Sequence, residues 1–134
     1  AVVGGTRERL AAAGLTERCD VIEGSFFEAI HAGGDTYSLK DILHDWNDEQ
    51  SIQILKYCHK AMGGSGKLLV IERIIQPGND PSPAKLIDIT MLVLTGGQER
   101  TEQEYQSLLE AAGFRLEDIY SFDGVTHIIE AKPV

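Results

Sequence analysis

The sequence predicts an α/β fold in which helices cover both faces of a mostly parallel β-sheet that ends in an antiparallel hairpin. Strand patterns alternate with helical patterns along most of the chain, which favours parallel strands joined by helices. Residues 67–75 are apolar at nearly every position, as expected for a strand with both faces covered. Two further strand patterns flank Asp123–Gly124, a dipeptide that favours a tight two-residue hairpin turn. No repeat or linker divides the chain, so we expect one domain.

The first part of the chain is predicted to form one helix and two strands. Residues 6–13 have a helical pattern that Gly14 ends, because glycine readily adopts a left-handed backbone. Residues 19–27 contain a short core of β-forming residues and are predicted to be a strand that leads into a loop. A second strand is predicted in residues 36–43, after the turn at 33–35.

Two of the later helices are predicted from their capping residues. Asn47 and Gln50 fit a capping box at the start of a helix, and the glycine-rich run at 63–66 ends that helix. Thr101 and Glu104 fit a second capping box, which opens the last predicted helix.

The helix between them has an unusual composition. Ser82 and Pro83 suit its cap and its first position. Residues 84–95 are apolar around much of the helix circumference, so this helix is predicted to be buried on several sides. Asp88 interrupts the apolar residues, and a carboxylate in that setting must find a partner or stay at an edge.

Composition and charge exclude several classes of partner. The chain has 134 residues, and its net charge of −9 would repel a phosphate backbone, so nucleic acid is not an expected partner. No apolar run approaches the roughly 20 residues that a membrane helix needs, and no secretion signal opens the sequence, so no membrane partner is expected. Cys19 and Cys58 lie far apart, and we interpret them as free thiols in a reducing cytoplasm.

A His–Asp–Trp triplet at 44–46 is the strongest candidate for chemistry. His44 lies just past the second predicted strand, at the sheet edge where open α/β sheets hold their ligands. Histidine titrates closest to neutral pH, so it suits a general base. The alternative is a histidine that only caps or packs at a helix entry. His31, His59 and His127 lack this context and are expected to be structural, and the His and Cys spacings fit no metal site.

Several motifs together resemble one enzyme family. They are "GSFFEAI", "LKDILHDWND", "GGSGKLLVIE", "DITMLVLTGGQERTEQEY" and "LLEAAGFR". They occur in the order found in S-adenosyl-methionine-dependent O-methyltransferases, and the chain resembles most closely the caffeic-acid-type branch of plant and bacterial small-molecule enzymes. The resemblance implies a Rossmann-like sheet whose last strand is antiparallel. It also implies that residues 1–134 are the C-terminal part of a catalytic domain, without the family's N-terminal dimerisation domain and glycine-rich cofactor loop.

The resemblance implies a reaction and a catalytic group. The reaction transfers a methyl group from S-adenosyl-methionine to a hydroxyl of a small aromatic or polyketide-like molecule. His44 corresponds to the general base, and Glu72 and Glu99 correspond to two glutamates that flank it. From the residues alone, the preferred interpretation of Glu72 is an exposed strand-end carboxylate, and that of Glu99 is an acidic residue that the dipole of the following helix favours.

The resemblance also implies binding residues. Ser25, Phe26 and Lys40 correspond to positions that hold the cofactor, but Ser25 replaces the family's aspartate, so the adenine contact is expected to be weaker or altered. Phe26 could equally be a core residue, and Lys40 an ordinary strand-end charge. Met91 and Thr95 correspond to the helix that lines the substrate pocket, although a methionine also fills ordinary cores. Asp45 is a third candidate for the carboxylate that orients the base, and it is also a candidate substrate contact.

Two wider expectations follow, and two alternative functions stay open. A homodimer is expected, because strands without their family neighbours would leave sheet edges open to pairing; the alternatives are rearranged packing or a core that is only marginally stable. The chain alone is expected to be inactive, because most of the cofactor site has no counterpart in it. The alternatives are a methyltransferase-like scaffold that binds a partner protein, or a different chemistry on the same fold, such as hydroxylation or decarboxylation.

Overall fold

The computed structural model describes residues 2–134. These residues form four helices and four strands, with a short 3₁₀ turn at Leu43–Asp45. In chain order the elements are α1 (Val2–Ala12), β1 (Thr36–Lys40), α2 (Asp48–Met62), β2 (Lys67–Arg73), α3 (Pro83–Leu94), α4 (Glu102–Ala111), β3 (Phe114–Ser121) and β4 (Thr126–Pro133).

The four strands form a single mixed sheet in the order β1-β2-β4-β3. β1 and β2 are parallel, with Thr36 opposite Lys67 and Lys40 opposite Ile71. β4 lies between β2 and β3 and is antiparallel to both. The predicted α/β class and C-terminal hairpin are confirmed. The described strands are mixed rather than mostly parallel, because the insertion of β4 makes two of the three pairs antiparallel.

The core lies on the face of the sheet that α2 and α4 cover. Along β2, Leu68, Val70 and Glu72 are buried, whereas the residues between them are only partly buried. The prediction that this strand has both faces fully covered is therefore wrong for residues 2–134, because α2 and α4 contact each other and share one face. The main core side chains are Leu43, Ile54, Leu55, Cys58, Leu68, Val70, Tyr105, Leu109, Phe114 and Ile129.

The predicted strand within residues 19–27 does not form. Residues 19–25 have no regular structure and pair with no strand in the part of the chain that the structure describes. The second predicted strand also stops early, at Lys40, because the backbone of Asp41 turns to a φ of 51°. β-forming residues make a strand only where a neighbouring strand accepts their hydrogen bonds, so the pattern at 19–24 is not sufficient.

The prediction of a buried α3 is also wrong for the described residues. The helix begins as predicted, with Pro83 in its first turn and the Ser82 side chain accepting a hydrogen bond from the N–H of Lys85. Five of its apolar side chains are nevertheless 61% to 77% exposed, namely Leu86, Ile89, Leu92, Val93 and Leu94. An apolar pattern shows which face of a helix would be buried, but it does not show whether another element packs against that face.

The remaining local predictions hold with two changes. Asn47 caps α2 by accepting from the N–H of Gln50, which is one half of the predicted capping box, whereas Thr101 and Glu104 form the full capping box of α4. The hairpin turn is longer than predicted, because Phe122 N–H donates to the carbonyl of Thr126 and leaves residues 123–125 as a three-residue loop.

Neither cysteine forms a disulfide. Burial raises the pKa of the Cys58 thiol to about 12, so this thiol is unreactive near neutral pH. Within residues 2–134, no helix is both long enough and apolar enough to cross a membrane.

Candidate active site

The candidate site forms beyond the ends of β1 and β2, where the 3₁₀ turn carries His44. His44 is 7% exposed, and its Nδ1 lies 3.0 Å from Oε1 of Glu99. The same nitrogen lies 3.6 Å from Oε2 of Glu72. The fold thus brings together three predicted residues, of which His44 and Glu99 are 55 positions apart in the sequence.

Glu72 supports the turn that carries the histidine. Its Oε1 accepts hydrogen bonds from the backbone N–H groups of Ile42, at 2.9 Å, and Leu43, at 2.8 Å. The residue is 0% exposed, and this burial raises the pKa of its carboxyl group to about 7, although the charge of His44 and the two N–H groups oppose the rise. Its second oxygen, Oε2, has no hydrogen-bond partner and faces the imidazole.

Glu99 reaches the histidine from the loop between α3 and α4. Its side chain is fully buried, and its backbone N–H donates to Oδ1 of Asp88 at 2.8 Å. Asp88 therefore has the partner that its apolar surroundings require, and through this bond α3 fixes the position of Glu99.

The carboxylates decide which nitrogen of His44 is free. Because Nδ1 faces Glu99 and Glu72, we assign the proton of the neutral ring to Nδ1, which leaves the lone pair of Nε2 as an acceptor. Oδ1 of Asp45 lies 3.7 Å from Nε2. The hydrogen bond to Glu99, followed by the charges of Glu72, Glu99 and Asp45, raises the pKa of His44, and burial opposes the rise. The arrangement stabilises an imidazolium and is suited to accepting a proton.

Gly97 fits the Glu99 loop against the histidine turn. The N–H of Gln98 donates to the carbonyl of His44 at 2.9 Å. A Cβ atom on Gly97 would lie only 1.9 Å from that same carbonyl oxygen, so no larger residue fits there without moving the backbone. The "GGQERT" segment was expected at the site from the family resemblance, but this close contact was not predicted.

Arg100 is a second supporting residue that the sequence analysis missed. Its guanidinium donates to the carbonyl of Leu43 at 2.9 Å and to that of Trp46 at 2.8 Å, so it holds both ends of the histidine turn. Asp48 at the start of α2 is its ionic partner, at 2.9 Å. Arg100 is 0% exposed, whereas an arginine in a polar motif ordinarily indicates the surface. Only the position of Arg100 within the "GGQERT" segment could have suggested this supporting role.

The predicted cofactor residues divide between two cavities. Ser25 and Phe26 line a cavity of about 450 Å³, and Phe26 contacts Trp46 edge to face with ring centroids 6.2 Å apart. Lys40 instead lines a cavity of about 340 Å³ and forms an ion pair with Asp41. The structure therefore joins Ser25 and Phe26 but does not bring Lys40 to the same cavity.

The predicted substrate residues lie at the end of α3. Met91 is partly buried and Thr95 is exposed. The Thr95 hydroxyl donates to the carbonyl of Met91 at 2.9 Å and accepts from the N–H of Gly97 at 3.1 Å. These bonds end α3 and begin the loop that carries Glu99, so both residues neighbour the site along the chain rather than contacting the imidazole.

The other histidines have local contacts that suit structural roles. Nδ1 of His31 bonds the carbonyl of Ala32 at 2.8 Å, and Nδ1 of His127 bonds that of Val125 at 2.9 Å. The ring of His59 contacts Phe114 edge to face, with centroids 5.2 Å apart.

We assign no metal to the site. Asp41, His44 and Glu72 do present donor atoms within 4.8 Å of one another. However, Oε1 of Glu72 already accepts two backbone hydrogen bonds, and Nδ1 of His44 already contacts Glu99. Asp41 is paired with Lys40 and with Arg73, and these two cations would repel a metal ion.

Comparison with known proteins identifies the family. A family profile described as an O-methyltransferase domain matches residues 1–115. A phenazine O-methyltransferase of Lysobacter antibioticus is 44% identical over 127 residues, which are 95% of this chain and 37% of that protein. The crystal structure of LaPhzM aligns with a TM-score of 0.95 at 43% identity, over 99% of this chain and 40% of that one.

A third comparison includes bound ligands. An O-methyltransferase from neocarzinostatin biosynthesis, solved with S-adenosyl-L-homocysteine and 1,4-dihydroxy-2-naphthoic acid, aligns with a TM-score of 0.89 at 32% identity, over 98% of this chain and 39% of that one. The chain thus spans roughly two fifths of the length of these relatives. Within that span the motifs, the fold and the family profile agree, and the chain belongs to the O-methyltransferase domain family.

Proposed function

We propose that the chain is the C-terminal part of the catalytic domain of an S-adenosyl-methionine-dependent O-methyltransferase, and that His44 is its general base. The observation that carries this proposal is the geometry of the imidazole. Nδ1 contacts two buried carboxyl groups, and Nε2 is left to accept a proton. The proposed acceptor is a hydroxyl of a small aromatic molecule, and the relatives described as acting on or binding such molecules support it.

The proposed mechanism depends on proton transfer to Nε2. A phenol has a pKa of about 10, so a positioned base is needed to generate the nucleophilic oxygen near neutral pH. Nε2 of His44 takes that proton, and the Nδ1–H bond to Glu99 stabilises the resulting imidazolium. Bound S-adenosyl-methionine supplies an electrophilic methyl group on a sulfonium. Glu72 holds the turn in place through the N–H groups of Ile42 and Leu43.

The cavity lined by Ser25 and Phe26 would accommodate the adenine ring of the cofactor. Its volume of about 450 Å³ leaves room for a ring, and Phe26 contacts Trp46 of the histidine triplet edge to face. The Ser25 hydroxyl accepts from the N–H of Phe27 at 3.3 Å, so it retains a polar group but no carboxylate. We propose that these residues hold adenine weakly, and that Lys40 makes no contact with adenine.

A chimera tests the base directly. The matching 40% of LaPhzM would be replaced by this chain, and methyl transfer to that enzyme's acceptor would be measured. His44→Gln is expected to lower kcat by about 10²- to 10⁴-fold. His59→Gln, a histidine that packs on Phe114, serves as the matched control and should leave kcat nearly unchanged. Equal rates in the two variants would refute the proposal.

The unassisted chain is proposed to be inactive and to self-associate. In calorimetry we expect no tight binding of S-adenosyl-methionine to the 134 residues alone, and tight binding would contradict this. The edge of β1 away from β2 pairs with no described strand, and the apolar face of α3 is exposed, so we propose a homodimer.

A non-catalytic scaffold is the second candidate. The observation that favours it is Ser25, which stands where the family has a carboxylate. A scaffold has no use for a buried imidazole between two glutamates, so we rank it below the enzyme. If the scaffold hypothesis were correct, the chimera would transfer no methyl group, and His44→Gln would therefore make no difference to its rate.

A further inference from the structure

Arg73, the last residue of β2, contacts two carboxylates beside the imidazole of His44. Its Nη1 lies 3.2 Å from Oδ1 of Asp41 and 3.6 Å from Oε1 of Glu99. That oxygen of Glu99 is also the one 3.0 Å from Nδ1 of His44. One carboxylate oxygen is therefore shared between a permanent cation and a titratable imidazole.

Asp41 anchors this arginine from the end of β1. Its backbone φ is 51°, a left-handed conformation that residues other than glycine seldom adopt. In this conformation its N–H still donates to the carbonyl of Ile71 at 3.1 Å, and its carboxylate accepts from Arg73. Such conformations persist where the surroundings enforce them, often at functional sites.

Carboxyl groups surround the imidazole from the adjacent elements. The carboxyl groups that face it are Asp41 and Asp45 from the chain between β1 and α2, Glu72 from β2, and Glu99 from the loop before α4. Asp48 of α2 and Asp88 of α3 lie one contact further away, bound to Arg100 and to the N–H of Glu99.

The described cations near the site differ in what they contact. Arg100 binds the carbonyls around the histidine turn and pairs with Asp48. Lys40 is exposed and pairs with Asp41. Arg73 is the cation within 4.0 Å of the carboxylate that bonds the imidazole.

We propose that Arg73 is a positioning residue that draws part of the charge of Glu99 away from His44 and so keeps the imidazole available as a base near neutral pH. This inference rests on the proposed role of His44. With Arg73 absent, the unshared carboxylates would stabilise the imidazolium further, and a base that is already protonated cannot accept a proton. The positive charge of Arg73 thus offsets part of the negative charge of the carboxylates that orient the ring.

The test is an NMR titration of the His44 ring in the chain and three variants. Arg73→Gln is expected to raise the pKa of His44 by roughly one pH unit. Arg73→Lys keeps the positive charge and should shift the midpoint by only a few tenths of a unit. Arg115→Gln removes an arginine that pairs with Glu117 on β3, and this matched control should leave the midpoint unchanged.

An unchanged or lowered midpoint in folded Arg73→Gln would overturn the inference. If that variant does not fold, the side-chain Nε–H resonance of Arg73 in the unaltered chain is followed instead. It should shift with the same midpoint as His44, and a resonance that does not respond would also overturn the inference.

The pH profile of kcat in the LaPhzM chimera is the second measurement. In Arg73→Gln, the pH midpoint at which kcat falls on the acidic side of the profile should rise by roughly one unit. The NMR titration needs no methyl transfer, so its failure refutes the role of Arg73 alone, whereas an activity unaffected by His44→Gln refutes the proposed base.

Discussion

The buried carboxyl group of Glu72 is expected to make the stability of the fold depend on pH. Burial raises its pKa from 4.5 to about 7, against the opposing effects of the His44 charge and two backbone N–H groups. Between these two values the folded chain keeps a proton that the unfolded chain has lost. The free energy of unfolding therefore falls as the pH rises through this range, and the full stabilising contribution is present only below the lower value.

The size of the effect follows from the two pKa values. For a single group that titrates at 4.5 when unfolded and at about 7 when folded, the free energy of unfolding falls by about 2–3 kcal/mol from pH 5 to pH 8. Glu72→Gln removes this titration and keeps an oxygen for the N–H groups of Ile42 and Leu43. The variant should lose most of this fall and keep only the part that comes from the raised pKa of His44, whose contribution is also lost as the pH rises.

Urea denaturation at pH 5 and pH 8 measures this difference. Comparing the two pH values within each protein removes any fixed cost of placing an amide in the core. Glu49→Gln, at an exposed position in the first turn of α2, is the matched control and should keep the full pH dependence. If Glu72→Gln lost as much free energy of unfolding from pH 5 to pH 8 as the unaltered chain, burial of Glu72 would not be the cause of the pH dependence.

The remaining predictions concern the supports of the site and the assembly. Arg100→Gln removes the buried guanidinium that donates to the carbonyls of Leu43 and Trp46, and it leaves Asp48 without its ionic partner. It should lower the free energy of unfolding by about 3 kcal/mol in urea denaturation, whereas exposed Arg115→Gln should cost less than about 1 kcal/mol. Equal losses would contradict the role of Arg100. Gly97→Ala should lower the melting temperature by several degrees, because its Cβ would collide with the His44 carbonyl, and an unchanged melting curve would show that the loop does not pack as described. Light scattering should report a dimer, and a monomer at every concentration would exclude the proposed self-association.

Local sequence rules predicted the elements whose determinants are local. The caps of α2, α3 and α4 follow from single side chains that satisfy nearby N–H groups, and the structure contains all three. The strand at 19–24 and the burial of α3 depend on surfaces elsewhere in space. The local sequence does not show whether a partner strand or a covering helix is present, so both predictions were wrong for the described residues.

The candidate site shows the same division. The position of His44 after a strand indicated a functional histidine, but its contact with Glu99 spans 55 residues and was expected only from the family resemblance. Gly97 and Arg100 act through a backbone contact and backbone carbonyls, respectively. Such contacts leave no periodic or charge pattern in the sequence, so the structure was needed to find them.

The most direct measurement of the central claim compares two acceptors in the LaPhzM chimera. One is an ordinary phenol with a pKa of about 10, and the other is a related phenol acidified by electron-withdrawing groups to a pKa below about 7. His44→Gln should slow methyl transfer to the first by about 10²- to 10⁴-fold and to the second far less, because the second is already ionised. An equal loss for both acceptors would show that His44 does not remove the proton.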